Sequence, residues 1–161
     1  MTRQFFKEIF DNHFDTVRNY IYYRSGDTEL ATDIAQDAFL RIWEKQIDPY
    51  NNNVVGLLIK ISGDLLVSNY RKQKVASNFK LNIQPRFDSQ SPADTMQFIE
   101  LKNRYNQALG ELPEKQRTVF LMSRMDNLKY HEIAAATGIS TKAVEKRMKN
   151  ALSYLRKELN Y

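Results

Sequence analysis

The chain has 161 residues, of which 42% are hydrophobic and 27% charged, and this composition is that of a folded protein rather than a disordered one. It contains no cysteine and only two histidines, His13 and His131, which excludes disulfides and thiolate chemistry and argues against a histidine-based metal or catalytic cluster. No apolar run is long enough to span a membrane, and the N-terminal segment is too charged for a signal peptide, so we expect a cytoplasmic protein without membrane insertion.

The formal net charge of +5 is distributed unevenly along the chain. Residues 1–48 contain six Lys or Arg against nine Asp or Glu, whereas residues 60–86 contain six against one and residues 129–149 five against two. An acidic first segment followed by two basic ones predicts two contacts with a polyanion and a third surface for another partner. Charge alone fits solvated helix faces equally well.

The first two predicted helices are defined by apolar spacing and by the residues at their ends. Apolar side chains recur at helical spacing over residues 6–21, and Ser25-Gly26 ends this helix because glycine tolerates the left-handed cap conformation. Asp27 or Thr28 is the N-cap of a second helix, which a loop beginning at Asp48-Pro49 terminates.

A third helix is predicted from about Val54 to the basic cluster near Arg71, which makes residues 1–76 a domain of three or four helices. Residues 77–95 lack periodicity and are rich in turn formers, so they are predicted to be a linker. Helical periodicity resumes at residue 96, and residues 96–161 form the second predicted domain. With few glycines and prolines, the predicted fold is all-α, with two small helical domains.

Residues 130–155 contain the most informative motif of the chain. Two helices would be joined by a turn at Thr137-Gly138-Ile139, with Ser140 as the cap of the second helix and Ala134 small enough for the helices to cross closely. The outward face of the second helix would enter the major groove, where lysine donates to guanine or phosphate and glutamate accepts from cytosine. The pattern predicts a DNA-binding helix-turn-helix rather than an ordinary helical hairpin, and the side chains on the outward face are Lys142, Glu145, Lys146 and Lys149.

The second helix has another surface, which mixes acidic and apolar side chains that folding does not require. A partner helix can dock on such a stripe, although the stripe taken alone favours a solvated face. Its residues are Asp33, Gln36, Asp37, Leu40 and Trp43.

The chain contains, in order, DIAQDAF with a following Trp, an apolar helix ending in basic residues, a linker, LPEKQRTVFLM and then EIA and GIS. In this combination it resembles the extracytoplasmic-function (ECF) group of bacterial sigma factors, in the sigma-70 family. The resemblance covers nearly all of residues 5–159 and implies the minimal form, with sigma region 2 over residues 1–76 and sigma region 4 over residues 96–161. It implies a transcription initiation factor that binds core RNA polymerase and promoter DNA, is not an enzyme, and uses no cofactor or metal. Members of this group are frequently held by an anti-sigma factor, which is a further partner that the resemblance implies.

The resemblance also implies which residues make each contact. The stripe on the second helix would dock on the clamp helices of the largest polymerase subunit. Tyr50 would trap a flipped base of the minus-10 element, at a cost of a few kcal/mol of unstacking, and neighbouring side chains would read or neutralise the same region: Asn51, Asn52, Asn53, Lys60, Asp64, Arg71, Lys72 and Lys74. The minus-35 element would be read by Ser140, Thr141, Lys142, Glu145, Lys146 and Lys149, with Lys129 on a backbone phosphate.

Two positions depart from the pattern of this group. Gly63-Asp64 stands where most members have an asparagine late in the third helix, and Leu57 stands where a tryptophan is common. The alternative function is a transcriptional regulator with a LuxR-type helix-turn-helix that is not a polymerase subunit, and DIAQDAFLRIWE argues against it because such a regulator has no use for this helix. A helical enzyme or structural adaptor is a more remote possibility.

Overall fold

The computed structural model describes residues 1–48, 53–73, 83 and 92–160, with side chains of the last range described from Thr95 onward. These residues form seven α-helices and contain no strand, which confirms the all-α prediction. The helices are α1 (Arg3–Ser25), α2 (Thr28–Glu44), α3 (Val54–Gln73), α4 (Pro92–Glu111), α5 (Glu114–Arg124), α6 (Tyr130–Thr137) and α7 (Thr141–Leu159).

The ends of α1 and α2 follow from local capping. Gly26 adopts a left-handed conformation with φ of 69°, and its N–H donates to the carbonyl of Tyr22, which ends α1. The carboxylate of Asp27 accepts a hydrogen bond of 3.0 Å from the N–H of Leu30 and thereby starts α2. Both predicted boundaries are therefore confirmed.

An aromatic cluster holds α1 against α2. The side chain of Phe39 is 1% exposed, and its ring centroid lies 5.0 Å from that of Phe10 and 5.8 Å from that of Phe14. The ring of Phe6 lies 6.4 Å from Phe39 and 5.1 Å from Trp43. Tilted and edge-on ring pairs at these separations add to the free energy of area burial, so this cluster fixes the face of α2 that remains outside.

The region between α3 and α5 differs in part from the sequence prediction. Helix α4 begins at Pro92, within the predicted linker, because proline at the first helical position is already set to a helical φ. Ile83, also from the predicted linker, is 4% exposed, and the side-chain amide of Asn106 bonds to both its N–H and its carbonyl, at 3.2 and 3.3 Å. The remaining residues of the predicted linker before Pro92 lie outside the described residues, and the domain boundaries stay a prediction.

The helix-turn-helix is formed by α6 and α7. Gly138 has φ of 73° and its N–H donates to the carbonyl of Ala134, which ends α6. The hydroxyl oxygen of Ser140 accepts a hydrogen bond of 3.1 Å from the N–H of Ala143 and starts α7. Between the helices, Ile133 and Val144 are fully buried, so the turn and its apolar contacts are as predicted.

The N-terminal helices (α1–α3) contact the C-terminal helices (α4–α7) through two helix pairs. Helix α1 packs on α5, and α3 packs on α6. Among the described residues, no helix has the length and apolar character that crossing a membrane requires.

We expect the Phe39→Ala variant to lose about 3–5 kcal/mol of unfolding free energy, because it removes the ring at the centre of the aromatic cluster and leaves a cavity. Urea denaturation measures the loss. The neighbouring Leu40→Ala variant is the control, since Leu40 is 50% exposed and its truncation should cost less than about 1 kcal/mol. Equal losses in the two variants would contradict the packing described here.

We expect the Ser140→Ala variant to lose about 1 kcal/mol, because the N–H of Ala143 then has no capping acceptor at the start of α7. Thermal unfolding with circular dichroism detection measures the change. Ser153→Ala is the matched control on the same helix: Ser153 is exposed in the interior of α7, where alanine favours the helix by a few tenths of a kcal/mol.

Candidate nucleic-acid interface

The outward face of α7 has the exposure that DNA reading requires. All six residues predicted to read the minus-35 element are exposed, and Lys129, which precedes α6, is exposed at the same end of the motif. The buried side of α7 is formed by Val144, Met148, Ala151 and Leu155. The buried and the exposed residues lie on opposite sides of α7, so the exposed residues face away from the core and are available to the major groove.

The lysines of this face are not neutralised by neighbouring carboxylates. None of Lys142, Lys146 and Lys149 forms an ion pair with a described residue. Uncompensated positive charge on one helix face attracts the phosphate backbone and positions the helix along it. Arg147, by contrast, is half-buried and faces a cleft shared with α1 and α5 rather than the outward face.

Asn53 has a structural role that the sequence analysis missed. Its Oδ1 accepts a hydrogen bond of 3.0 Å from the N–H of Gly56 and caps α3, while its Nδ2 donates to the carbonyl of Ala135 in α6 at 2.8 Å. The signal was present, because asparagine directly before an apolar helix is a preferred N-cap. In this arrangement the Asn53 amide is therefore occupied and does not project as a free base reader.

The remaining residues predicted to bind the minus-10 region fall into two groups. Lys60 and Asp64 are exposed and line a cleft between α3 and α6, and Arg71 and Lys72 are exposed in the last turn of α3. Tyr50, Asn51, Asn52 and Lys74 lie outside the described residues.

The two departures from the sigma pattern have different surroundings. Gly63 is buried against α1, and a Cβ at this position would lie 3.0 Å from Nη1 of Arg24. The glycine therefore allows α3 to pack closely on α1, and it is the neighbouring Asp64 that is exposed. Leu57 is half-buried at the cleft between α3 and α6.

The second surface of α2 is solvent-exposed over most of its length. Asp33, Gln36 and Asp37 are exposed, and Leu40 presents a large apolar side chain beside them. Trp43 differs from the others, since it is half-buried and packs edge-on against Phe6. The structure thus brings four of the five predicted polymerase contacts to one open face.

The N-terminal and C-terminal helices are also joined by two polar residues, one buried and one partly buried, that were not identified from the sequence. Arg117 in α5 is 5% exposed, and burial lowers the pKa of its guanidinium. Asp126, which follows α5, accepts hydrogen bonds from the hydroxyl of Tyr23 and from Nδ2 of Asn19, and burial raises the pKa of its carboxyl. A signal for Arg117 was its position three and four residues before Phe120 and Leu121, which places it on the apolar face of α5.

The described residues contain no group of three or more His, Asp or Glu side chains that could hold a metal ion. The candidate functional surfaces described above are exposed helix faces and a cleft between helices.

Comparisons with known proteins identify the family of the chain. The family profile of Sigma-70, region 4, matches residues 102–155, which include the helix-turn-helix. The ECF RNA polymerase sigma factor SigW of Bacillus subtilis is 30% identical over 96% of this chain and 88% of its own length. The ferric citrate uptake sigma factor FecI of Escherichia coli is 25% identical over 92% of this chain and 87% of its own.

A solved structure has the same fold. The sigma factor RpoE of Bartonella quintana, determined in complex with the anti-sigma factor NepR, superposes with a TM-score of 0.67 at 20% identity, covering 99% of this chain and 98% of that one. Because these relatives match the N-terminal helices as well as the helix-turn-helix, they support a sigma factor over a LuxR-type regulator. With a 30% identical relative aligned across nearly its whole length, the chain belongs to the extracytoplasmic-function RNA polymerase sigma factors of the sigma-70 family.

Proposed function

We propose that this sigma factor binds core RNA polymerase through the open face of α2 and directs initiation by reading the minus-35 element with α7 and the minus-10 element with α3 and the residues before it. The observation that carries the proposal is the outward face of α7, the second helix of the helix-turn-helix. Its lysines are exposed and have no ion-pair partner among the described residues. The protein would act in the cytoplasm by binding alone, without chemistry of its own.

The proposed assignment of DNA to α7 and of polymerase to α2 follows from the chemistry of each surface. The α7 face combines cationic donors with one acceptor, Glu145, which suits base edges between phosphates. The α2 face combines carboxylates with the exposed Leu40, which suits a protein helix and would repel DNA. The anti-sigma complex of the similar RpoE supports the further proposal that an anti-sigma factor binds this chain.

Run-off transcription with sigma-free core polymerase tests the function as a whole. The purified protein should produce transcripts with defined start sites from a subset of templates. Absence of specific start sites across a broad panel of promoters would overturn the proposal.

Replacing Asp33, Gln36 and Asp37 together by alanine should weaken the capture of core polymerase by about tenfold or more, which is the size of a hot-spot loss at a protein interface. The reason is that the variant removes both carboxylates from the proposed polymerase-binding face of α2. Pull-down with immobilised core enzyme measures it. The matched control replaces Glu8, Asn12 and Asp15, an exposed set on α1 that also has two carboxylates and one amide, and should bind as wild type. Unchanged capture by the α2 variant would contradict the assignment.

Replacing Lys146 and Lys149 by alanine should flatten the salt dependence of promoter binding by the holoenzyme. Each lost phosphate contact reduces the slope of log K against log salt by about 0.9, so two contacts should reduce it by about 2. Fluorescence anisotropy at several salt concentrations gives the slope. The control is the double variant Lys45→Ala, Lys102→Ala, which has the same change in net charge and should retain the wild-type slope. If the α7 double variant also retained the wild-type slope, its lysines would not contact phosphate.

A further inference from the structure

A basic cleft lies beside the second half of α7, beyond the residues proposed to read bases. Its volume is about 610 Å³, and it is bounded by Tyr130 at the start of α6 and by side chains of α7. Among the described residues that line it, Lys149, Arg156 and Lys157 are cations and Glu145 is a carboxylate. The cleft therefore has an excess of positive charge.

The donors of this cleft are available to a ligand. Lys149, Arg156 and Lys157 are exposed, and none of them forms an ion pair with a described residue. The side chain of Tyr130 is 36% exposed, and its hydroxyl has no hydrogen-bond partner among the described residues. Basic side chains in the last turn of a helix also interact favourably with the helix dipole, but that effect does not account for Lys149 or Tyr130, which lie outside the last turn. Donors from two helices thus converge on one opening.

The length of α7 places this cleft over the edge of the major groove. Helix α7 has 19 residues and is therefore about 28 Å long, whereas the major groove is about 12 Å wide. The N-terminal residues of a recognition helix contact base edges. Arg156 lies seven residues beyond Lys149, which is close to two helical turns, so it lies on the same side of α7 about 10 Å further along. With the first half of α7 in the groove, Arg156 lies over the strand that borders the groove.

The chemistry of the cleft suits a phosphodiester backbone. Lysine, arginine and tyrosine side chains are common donors to phosphate oxygens. The half-buried Leu152 supplies an apolar surface between these donors. The cleft is also continuous with the proposed DNA surface, since Lys149 belongs to both and Lys129, the predicted phosphate contact, directly precedes Tyr130.

We propose that this cleft holds one phosphate strand of the duplex directly outside the minus-35 element, through Arg156, Lys157 and Tyr130. These contacts are independent of base sequence, so the second half of α7 anchors the DNA while the first half reads it. The proposal rests on the placement of α7 in the major groove described under the proposed function.

Salt-dependent binding of the free protein to a 20-base-pair duplex of arbitrary sequence tests the cleft, with fluorescence anisotropy as the measurement. The double variant Arg156→Met, Lys157→Met should reduce the slope of log K against log salt by about 2, because two phosphate contacts are lost. The double variant Arg156→Lys, Lys157→Arg keeps both charges and should keep the wild-type slope. The matched control Arg3→Met, Lys45→Met removes one arginine and one lysine at exposed positions elsewhere and should also keep it.

The Tyr130→Phe variant tests the contribution of α6. Its hydroxyl is a neutral donor that displaces no counterion, so its loss should weaken binding by about threefold or more without changing the slope. Binding equal to wild type would overturn the assignment of Tyr130. Circular dichroism establishes that each variant is folded.

Sequence independence is tested with holoenzyme, on a promoter that supports run-off transcription and on the same duplex with a scrambled minus-35 element. Arg156→Met, Lys157→Met should weaken binding to both duplexes by the same factor, as expected for phosphate contacts. A wild-type salt slope in this folded variant, or a loss confined to the intact promoter, would overturn the cleft. If the Lys146, Lys149 variant alone flattens the slope, only the cleft assignment fails, whereas wild-type slopes in both variants contradict the proposed reading of DNA by α7.

Discussion

The hydrogen bonds between Arg117 and the end of α1 join the two groups of helices at the contact of α1 with α5. A buried guanidinium is costly unless its donors are satisfied, and here backbone carbonyls that α1 leaves unpaired accept them. The same contact sets the position of α5 on α1, and α6 follows α5 onto α3. These hydrogen bonds lie beside an apolar core that residues of both groups of helices share, so apolar burial and hydrogen bonding act together at this contact.

The junction around this cap also contains an unfavourable feature. Oδ1 of Asp126 accepts two hydrogen bonds, whereas its buried Oδ2 has no partner among the described residues. An unpaired buried carboxylate oxygen loses its hydration without compensation, which agrees with the raised pKa of this group. The junction therefore contains a local cost at Asp126, which burial of the surrounding apolar side chains offsets.

Local signals in the sequence were sufficient for much of the fold and of the site. Gly26, Asp27, Gly138 and Ser140 set helix ends through their own backbone or side chains, and the apolar spacing of α7 identified its outward face, because these effects act within one or two turns. The sequence did not reveal that Asn53 bonds to Ala135 or that Arg117 bonds to Tyr23, since the partners are 82 and 94 residues apart. Such contacts depend on how the folded helices pack against one another, and the hydrophobic periodicity of a single helix contains no information about that packing.

The pairing of Ile83 with Asn106 has a consequence for reach. With Ile83 fixed to α4, only ten residues of chain connect it to the end of α3 at Gln73, and these span at most about 36 Å. If that pairing were released, the nineteen residues from Gln73 to Pro92 would span at most about 68 Å. The pairing of one amide side chain with Ile83 thus nearly halves the length of chain between the end of α3 and its first attachment to α4.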